Sequence, residues 1–388
     1  MMTAYDVDAV RREFPVTEHM LYLDSAFQTP LARSVRERLM SFYDEAHYNA
    51  GPKSVWLERL AGVRAKIAEL LGADSSEIAF TKNTSEGLNI AAHALRYDPG
   101  DNVLLVEGEH PNNTCAWLGR RKAGLEVRLI PESRKWVDAE TFKRFVDART
   151  RAISISHVMF HSGQRNDLER LASFCRERDI KLIVDGMQSI GVLPVDVKKL
   201  GIAMFAAGAH KGLLAPQGIG ILYCDKELAA NLEPEYYALS SLANPPADLV
   251  VGPGPFEFAD GARRFELGNY NHAGVHALDA SIDLIRSAGV PAIAEHVLDL
   301  GDRLIGHLDA LGIGLVGPRE RRYRSHIYVL ALDSGVWLQH LAQHNVRASQ
   351  VRNGIRISFA MFNTVQDVDR LADILSQGHA SRSVNRAG

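Results

Sequence analysis

Cysteine is scarce in this chain: Cys115, Cys175 and Cys224 are its only three in 388 residues. Three irregularly spaced thiols cannot build a disulfide framework, and they suit a reducing cytoplasm. The longest apolar runs fall far short of the roughly 20 residues that cross a bilayer. The N-terminal stretch MMTAYDVDAVRREF holds no apolar signal core, so secretion is not expected. An excess of either charge is also missing. A net charge of −3 offers no electrostatic reason to bind nucleic acid or a membrane. Metal-ligand clusters are lacking as well. His157/His161 and His272/His276 are each four apart, a spacing that puts two ligands on one helix face. His157 ends an expected strand, however, and the second pair has no evident third ligand, so no metal is expected. Gly252-Pro253-Gly254 lacks the rest of a dinucleotide fingerprint.

What the chain does contain is an alternation of strand-like and helix-like segments over its first two thirds. EIAFT (77–81), NVLLVEG (102–108), EVRLIP (126–131), AISISHV (152–158), KLIVDG (181–186) and GIGILYC (218–224) read as strands. Several are almost wholly apolar, as strands buried on both faces are. PKSVWLERLAGVRAKIAELLG (52–72), SEGLNIAAHAL (85–95) and LERLASFCRERD (168–179) have helical periodicity. The pattern predicts an α/β fold with a mostly parallel central sheet. The Pro- and Gly-rich stretch 244–258 marks a break. Beyond it, AGVHALDASIDLIRSAG (273–289), GIRISFA (354–360) and DVDRLADIL (367–375) suggest a smaller C-terminal α+β domain. The expected division is an N-terminal segment 1–18, a large domain 19–260, a small domain 261–375 and a mobile polar tail 376–388.

The chemistry centres on KLIVDGMQSIG followed by AAGAHKG. Asp185 falls at the C-terminal end of an apolar strand, where open α/β sheets bind ligands. A buried carboxylate there needs a cationic partner, and a protonated pyridine nitrogen is one. Lys211 follows one further expected strand, IAMFAAG, and can hold pyridoxal 5′-phosphate (PLP) as a Schiff base. The plainer alternative is a capping aspartate and a surface lysine. The two residues in this order, between these strands, favour the PLP site. TKNTSEGLN (81–89) is a strand-to-helix junction whose N–H groups and dipole suit a phosphate, with Thr84 and Ser85 as candidates. Simple helix capping by Asn83 or Thr84 is the alternative there. His110, in EGEHPNN, is placed to lie on a cofactor ring or else to face solvent.

Together these pieces resemble the class V aminotransferase family, of PLP fold type I, which includes cysteine desulfurases and isopenicillin N epimerase-like proteins. The resemblance runs from YLDSAFQTP (22–30) through RFELGNYNHAG (264–274) to GIRISFAMFNT (354–364), nearly the whole chain. It implies a large PLP-binding domain and a smaller C-terminal one. By resemblance, Asp185 pairs with the pyridine nitrogen, Gln188 with the phenolic oxygen, and His110 stacks on the ring. Lys211 carries the cofactor. Thr84, Ser85 and His210 hold the phosphate, and Arg356 grips the substrate α-carboxylate. Asn269 matches a phosphate contact contributed by a second subunit, which implies a homodimer with shared sites.

Departures from the family pattern limit the reaction. Desulfurases carry a nucleophilic cysteine on a loop shortly before the position of Arg356, and NVRASQVRNGIRIS (345–358) has none. The family's phosphate-binding serine is Gly208 here, and its cross-subunit threonine is Asn269. Desulfuration through a protein persulfide is therefore disfavoured. Transamination and β-elimination, including C–S cleavage, lead; epimerisation comes third because it needs a second acid on the opposite face. A PLP-fold protein that binds without catalysing is the rival from another class, and intact Asp185, His210, Lys211 and Arg356 argue against it.

Overall fold

The computed structural model describes residues 5–131, 139–246, 250–252, 255 and 257–386. Its centre is a sheet of β1 (Ile78–Thr81), β2 (Asn102–Val106), β3 (Glu126–Ile130), β4 (Thr150–Ser156), β5 (Lys181–Asp185), β6 (Met204–Gly208) and β7 (Gly220–Cys224). The spatial order is β1-β7-β6-β5-β4-β2-β3. Only β7 runs antiparallel to its neighbours; the other pairings are parallel.

Every residue of β2, β6 and β7 is buried. The two-residue period of a strand explains why these segments show no polar alternation. In β2, Leu104 and Val106 enter one core, shared with Leu60, Val63 and Ile67. Val103 and Leu105 enter the opposite core with Leu88, Ala91 and Trp117. The helices concerned are α1 (Arg33–Tyr48), α2 (Lys53–Leu71), α3 (Thr84–Ala94) and α4 (Pro111–Leu118). Gly87 lets α3 lie close on the sheet, because a Cβ there would stand 2.8 Å from the Ala206 Cβ. Edge strand β3 keeps polar residues, and Arg128 pairs with Glu126 at 2.8 Å.

Strands β8 (Leu315–Val316), β9 (Ile327–Leu330), β10 (Ser349–Val351) and β11 (Gly354–Ser358) form a second, antiparallel sheet in the order β10-β11-β9-β8. Leu304 and Leu308 of one helix and Leu371 and Leu375 of another cover it. The helix α5 (Leu168–Arg176) lies between β4 and β5 in sequence. Next comes α6 (His272–Ala288), in the stretch assigned above to the small domain. It nevertheless buries Val275, Leu278 and Ile282 in the large sheet's core. It is followed by α7 (Val290–Ala310) and α8 (Val365–Arg386). The tail expected to be mobile from Ser376 instead continues α8 to Arg386. It has no proline, and extending a formed helix avoids the cost of nucleation. Among the described residues, no helix is long and apolar enough to cross a membrane.

Candidate active site

The parallel strands β4, β5 and β6 end beside the N-termini of α3 and α4. Asp185 is the last residue of β5 and lies opposite Ser156 of β4 in the sheet register. A cavity of about 230 Å³ opens at these strand ends. Seven of the nine residues singled out in the sequence line it: Thr84, Ser85, His110, Asp185, Gln188, His210 and Lys211. A larger cleft of about 1060 Å³, near Arg165, Asp196 and Arg286, contains none of the nine.

Asp185 is 6% exposed, and its Oδ1 accepts the Met187 N–H at 2.9 Å. Burial pushes its pKa up to about 6, against the opposing pull of that hydrogen bond and of Lys211. Burial likewise pulls Lys211 down to about 8; the Arg356 charge adds to the shift, while Asp185 and Asp24 oppose it. Both groups sit in an environment that disfavours isolated charge, a setting common to catalytic groups.

His110 is not a free loop residue. It caps α4: its Nδ1 accepts the Asn112 N–H at 3.2 Å, and Pro111 opens the helix. That bond leaves the neutral ring's proton on Nε2. Burial, Lys211 and Arg356 all lower its pKa. Burial followed by the Lys211 charge brings His210 down to about 4, so it too is neutral at pH 7. At the start of α3, Asn83 Oδ1 accepts the Glu86 N–H at 3.0 Å. Asn83 therefore does the capping, and Thr84 and Ser85 face the cavity. Gln188 donates from Nε2 to the Ala26 carbonyl at 2.9 Å, while its Oε1 is buried with no partner among the described residues.

Arg356 stands at the edge of this group on β11, 5% exposed. Its Nη1 donates to the Phe160 carbonyl at 3.3 Å, and Nη2 lies 3.5 Å from Asp24 Oδ1. Its Nε is buried without a partner among the described residues. A guanidinium held by two long contacts retains donors for a carboxylate. Arg356→Ala should raise the substrate KM by on the order of a hundredfold, about 3 kcal/mol, and leave the cofactor bound. Steady-state kinetics beside a PLP absorption spectrum check this; an unchanged KM rejects the role. Asn269 is exposed on the turn before α6 and does not line the cavity.

Sequence reasoning missed several residues here. Asp24, 1% exposed, accepts the Ser349 hydroxyl at 2.6 Å as well as facing Arg356. Phe160 meets the His110 ring edge-on, with centroids 5.2 Å apart. Glu109, directly before His110, accepts from the Ser156 N–H at 2.8 Å, the Ser156 hydroxyl at 2.5 Å and Asn113 Nδ2 at 3.1 Å. Burial brings its pKa to about 7 despite those bonds, with the Asp185 charge adding to the rise. Met187 also lines the cavity. Asp24 lies within YLDSAFQTP and Glu109 within EGEHPNN, the one signal that could have drawn attention to them.

The Aminotransferase class-V sequence pattern matches residues 21–371. The chain belongs to the class V aminotransferase family. An uncharacterized aminotransferase of Schizosaccharomyces pombe is 35% identical, over 96% of this chain and 96% of its own. A probable cysteine desulfurase of Methanothermobacter thermautotrophicus is 29% identical, over 95% of this chain and 97% of its own. The solved apo structure of a cysteine desulfurase from Thermococcus onnurineus superposes with a TM-score of 0.87 at 23% identity, covering 97% of this chain and 99% of that one. The fold is PLP fold type I, the cofactor is pyridoxal 5′-phosphate, and the protein is a PLP-dependent transferase or lyase. The cavity fits that cofactor. Among the described residues, the buried Asp185 carboxyl has no ion pair, and the Lys211 side-chain amine has no hydrogen bond or ion pair. Gln188 presents an orphaned amide oxygen and keeps one N–H to spare.

Proposed function

We propose that this enzyme removes the Cα proton of an amino acid and then completes either a transamination or a β-elimination of the C–S lyase type, without a protein persulfide. The observation that carries the proposal is one cavity lined by Lys211 and Asp185, with Arg356 near enough for its charge to lower the lysine's pKa. PLP, when bound, supplies the electron sink for a Cα carbanion. Asp185 would keep the ring nitrogen protonated, and Lys211 would hold the cofactor and carry the proton at Cα. Arg356 would fix the substrate carboxylate, and neutral His110 would cover the ring.

The short segment before Arg356 supports the exclusion of a persulfide. Val351 pairs with Gly354, so β10 and β11 are joined by only Arg352 and Asn353. No thiol stands on this hairpin, and a two-residue turn cannot reach far into the site. None of the three cysteines lines the cavity. Cys175 and Cys224 are buried, and burial raises both thiol pKa values, Cys175 to about 12. Neither is a ready thiolate. Cys115 is exposed on α4.

The deciding experiment supplies amino acids and thioether conjugates and measures pyruvate, keto acid, ammonia and thiol. A keto acid retaining the side chain identifies a transaminase; pyruvate, ammonia and a thiol identify a lyase. Mass spectrometry during turnover with cysteine should find no added sulfur on any cysteine. The Cys115→Ser, Cys175→Ser, Cys224→Ser triple variant should keep its rate. A persulfide on Cys115, with an inactive Cys115→Ser variant, would make the enzyme a desulfurase.

The working unit in this proposal is a homodimer in which Asn269 reaches the other subunit's cofactor phosphate. Its exposure, away from its own cavity, supports that arrangement. An active monomer by light scattering at assay concentration contradicts it.

A further inference from the structure

We propose that Met187 sets how tightly the cofactor phosphate binds, because its thioether engages two phosphate-site donors and fills the space beside Gly208. Met187 lies two residues after Asp185 and is 8% exposed. Thr84 Oγ1 donates to Met187 Sδ at 3.0 Å, and the Gly208 N–H donates to the same sulfur at 3.1 Å. Thr84 opens α3, where N–H groups and the helix dipole favour a phosphate. Gly208 stands where the family resemblance has a phosphate-binding serine. Two donors of the phosphate end are thus held by an uncharged, weak acceptor. A phosphate dianion takes such donors far more strongly. The sulfur satisfies them until the phosphate arrives, and each must leave it to bind.

The same sulfur accounts for the glycine. A Cβ at Gly208 would lie 3.0 Å from Met187 Sδ and 3.2 Å from Thr84 Oγ1, both closer than ordinary contact. A serine at 208 therefore crowds the methionine at 187, whose sulfur must shift by a few tenths of an ångström to admit it. Where the family resemblance has a hydroxyl donor, this chain thus has a thioether that competes with the ligand. The inference rests on PLP being the cofactor and on no choice between transamination and elimination.

The test uses the full-length apo protein and measures dissociation constants for PLP and, as a control lacking the phosphate, pyridoxal. Met187→Leu keeps the bulk and removes the acceptor. It should tighten PLP by roughly five- to tenfold, the scale of one modest hydrogen bond, and leave pyridoxal unchanged. Gly208→Ser alone should weaken PLP. Combined with Met187→Ala, the serine should instead bind PLP at least as tightly as the native protein, a strongly non-additive pair. An unchanged PLP-to-pyridoxal ratio in Met187→Leu overturns the proposal, as does simple additivity in the double variant. If Gly208→Ser does not fold, the Met187→Leu ratio decides alone. These readouts are binding constants, so an enzyme whose reaction class proves different leaves the test intact.

Discussion

Lys211→Ala will abolish covalent PLP attachment and lower turnover by at least ~10³-fold, the scale lost with a nucleophile and proton carrier together. PLP will still enter the cavity, because the contacts expected of Asp185, Thr84 and Ser85 do not depend on the lysine. Among the described residues no other lysine lines the cavity to offer a substitute amine. The native protein adds a pH signature. Burial and the nearby Arg356 hold the Lys211 pKa at about 8. The neutral amine is the nucleophile, so covalent capture of PLP by apo protein should speed up as pH rises through about 8 and level off above it. Absorbance after mixing follows the capture. Borohydride fixation of PLP on a different lysine would reject Lys211 as the attachment point.

Asp185→Asn should cost on the order of a thousandfold in kcat, about 4 kcal/mol of transition-state stabilisation. Asparagine retains an oxygen for the Met187 N–H, now accepted by Asp185 Oδ1 at 2.9 Å, so the loop shape survives. What it loses is the negative charge proposed to keep the cofactor nitrogen protonated. Stability should move the other way. The Asp185 pKa is raised from its ordinary value to about 6 by burial. A group with a raised folded-state pKa contributes stability below its unfolded pKa, and that contribution is lost as pH climbs through the folded value. Between about pH 4 and 6 the apo protein therefore becomes less stable on this account, and the neutral asparagine avoids the loss. Apo Asp185→Asn should melt no lower than the native apo protein at pH 7. Near-native kcat in this variant would remove Asp185 from the mechanism.

Much of this site could be read along the chain because it follows strand ends and helix starts. Asp185 ends an apolar strand, Thr84 and Ser85 open a helix, and Lys211 follows β6; each is a local feature. The cavity brings all four together with His110, Gln188 and His210. The residues that sequence reasoning missed depend on distant partners. Asp24 bonds Ser349, 325 positions away, and Ala26 accepts from Gln188, 162 positions away. Glu109 gains its raised pKa from burial, to which the Asp185 charge adds while the bonds to Ser156, 47 positions away, oppose it.

By itself the sequence determined the α/β alternation, the order of Asp185, Lys211 and Arg356, and the absence of a thiol before that arginine. Those are matters of residue type and of periods of two and 3.6, which neighbouring residues carry among themselves. Only the tertiary structure decided that α6 packs on the large sheet, that Asp24 faces Arg356, and that the Met187 sulfur crowds the space beside Gly208. Such contacts depend on strand register and close packing, where a shift of one residue turns a side chain to the other face and an ångström separates contact from clash.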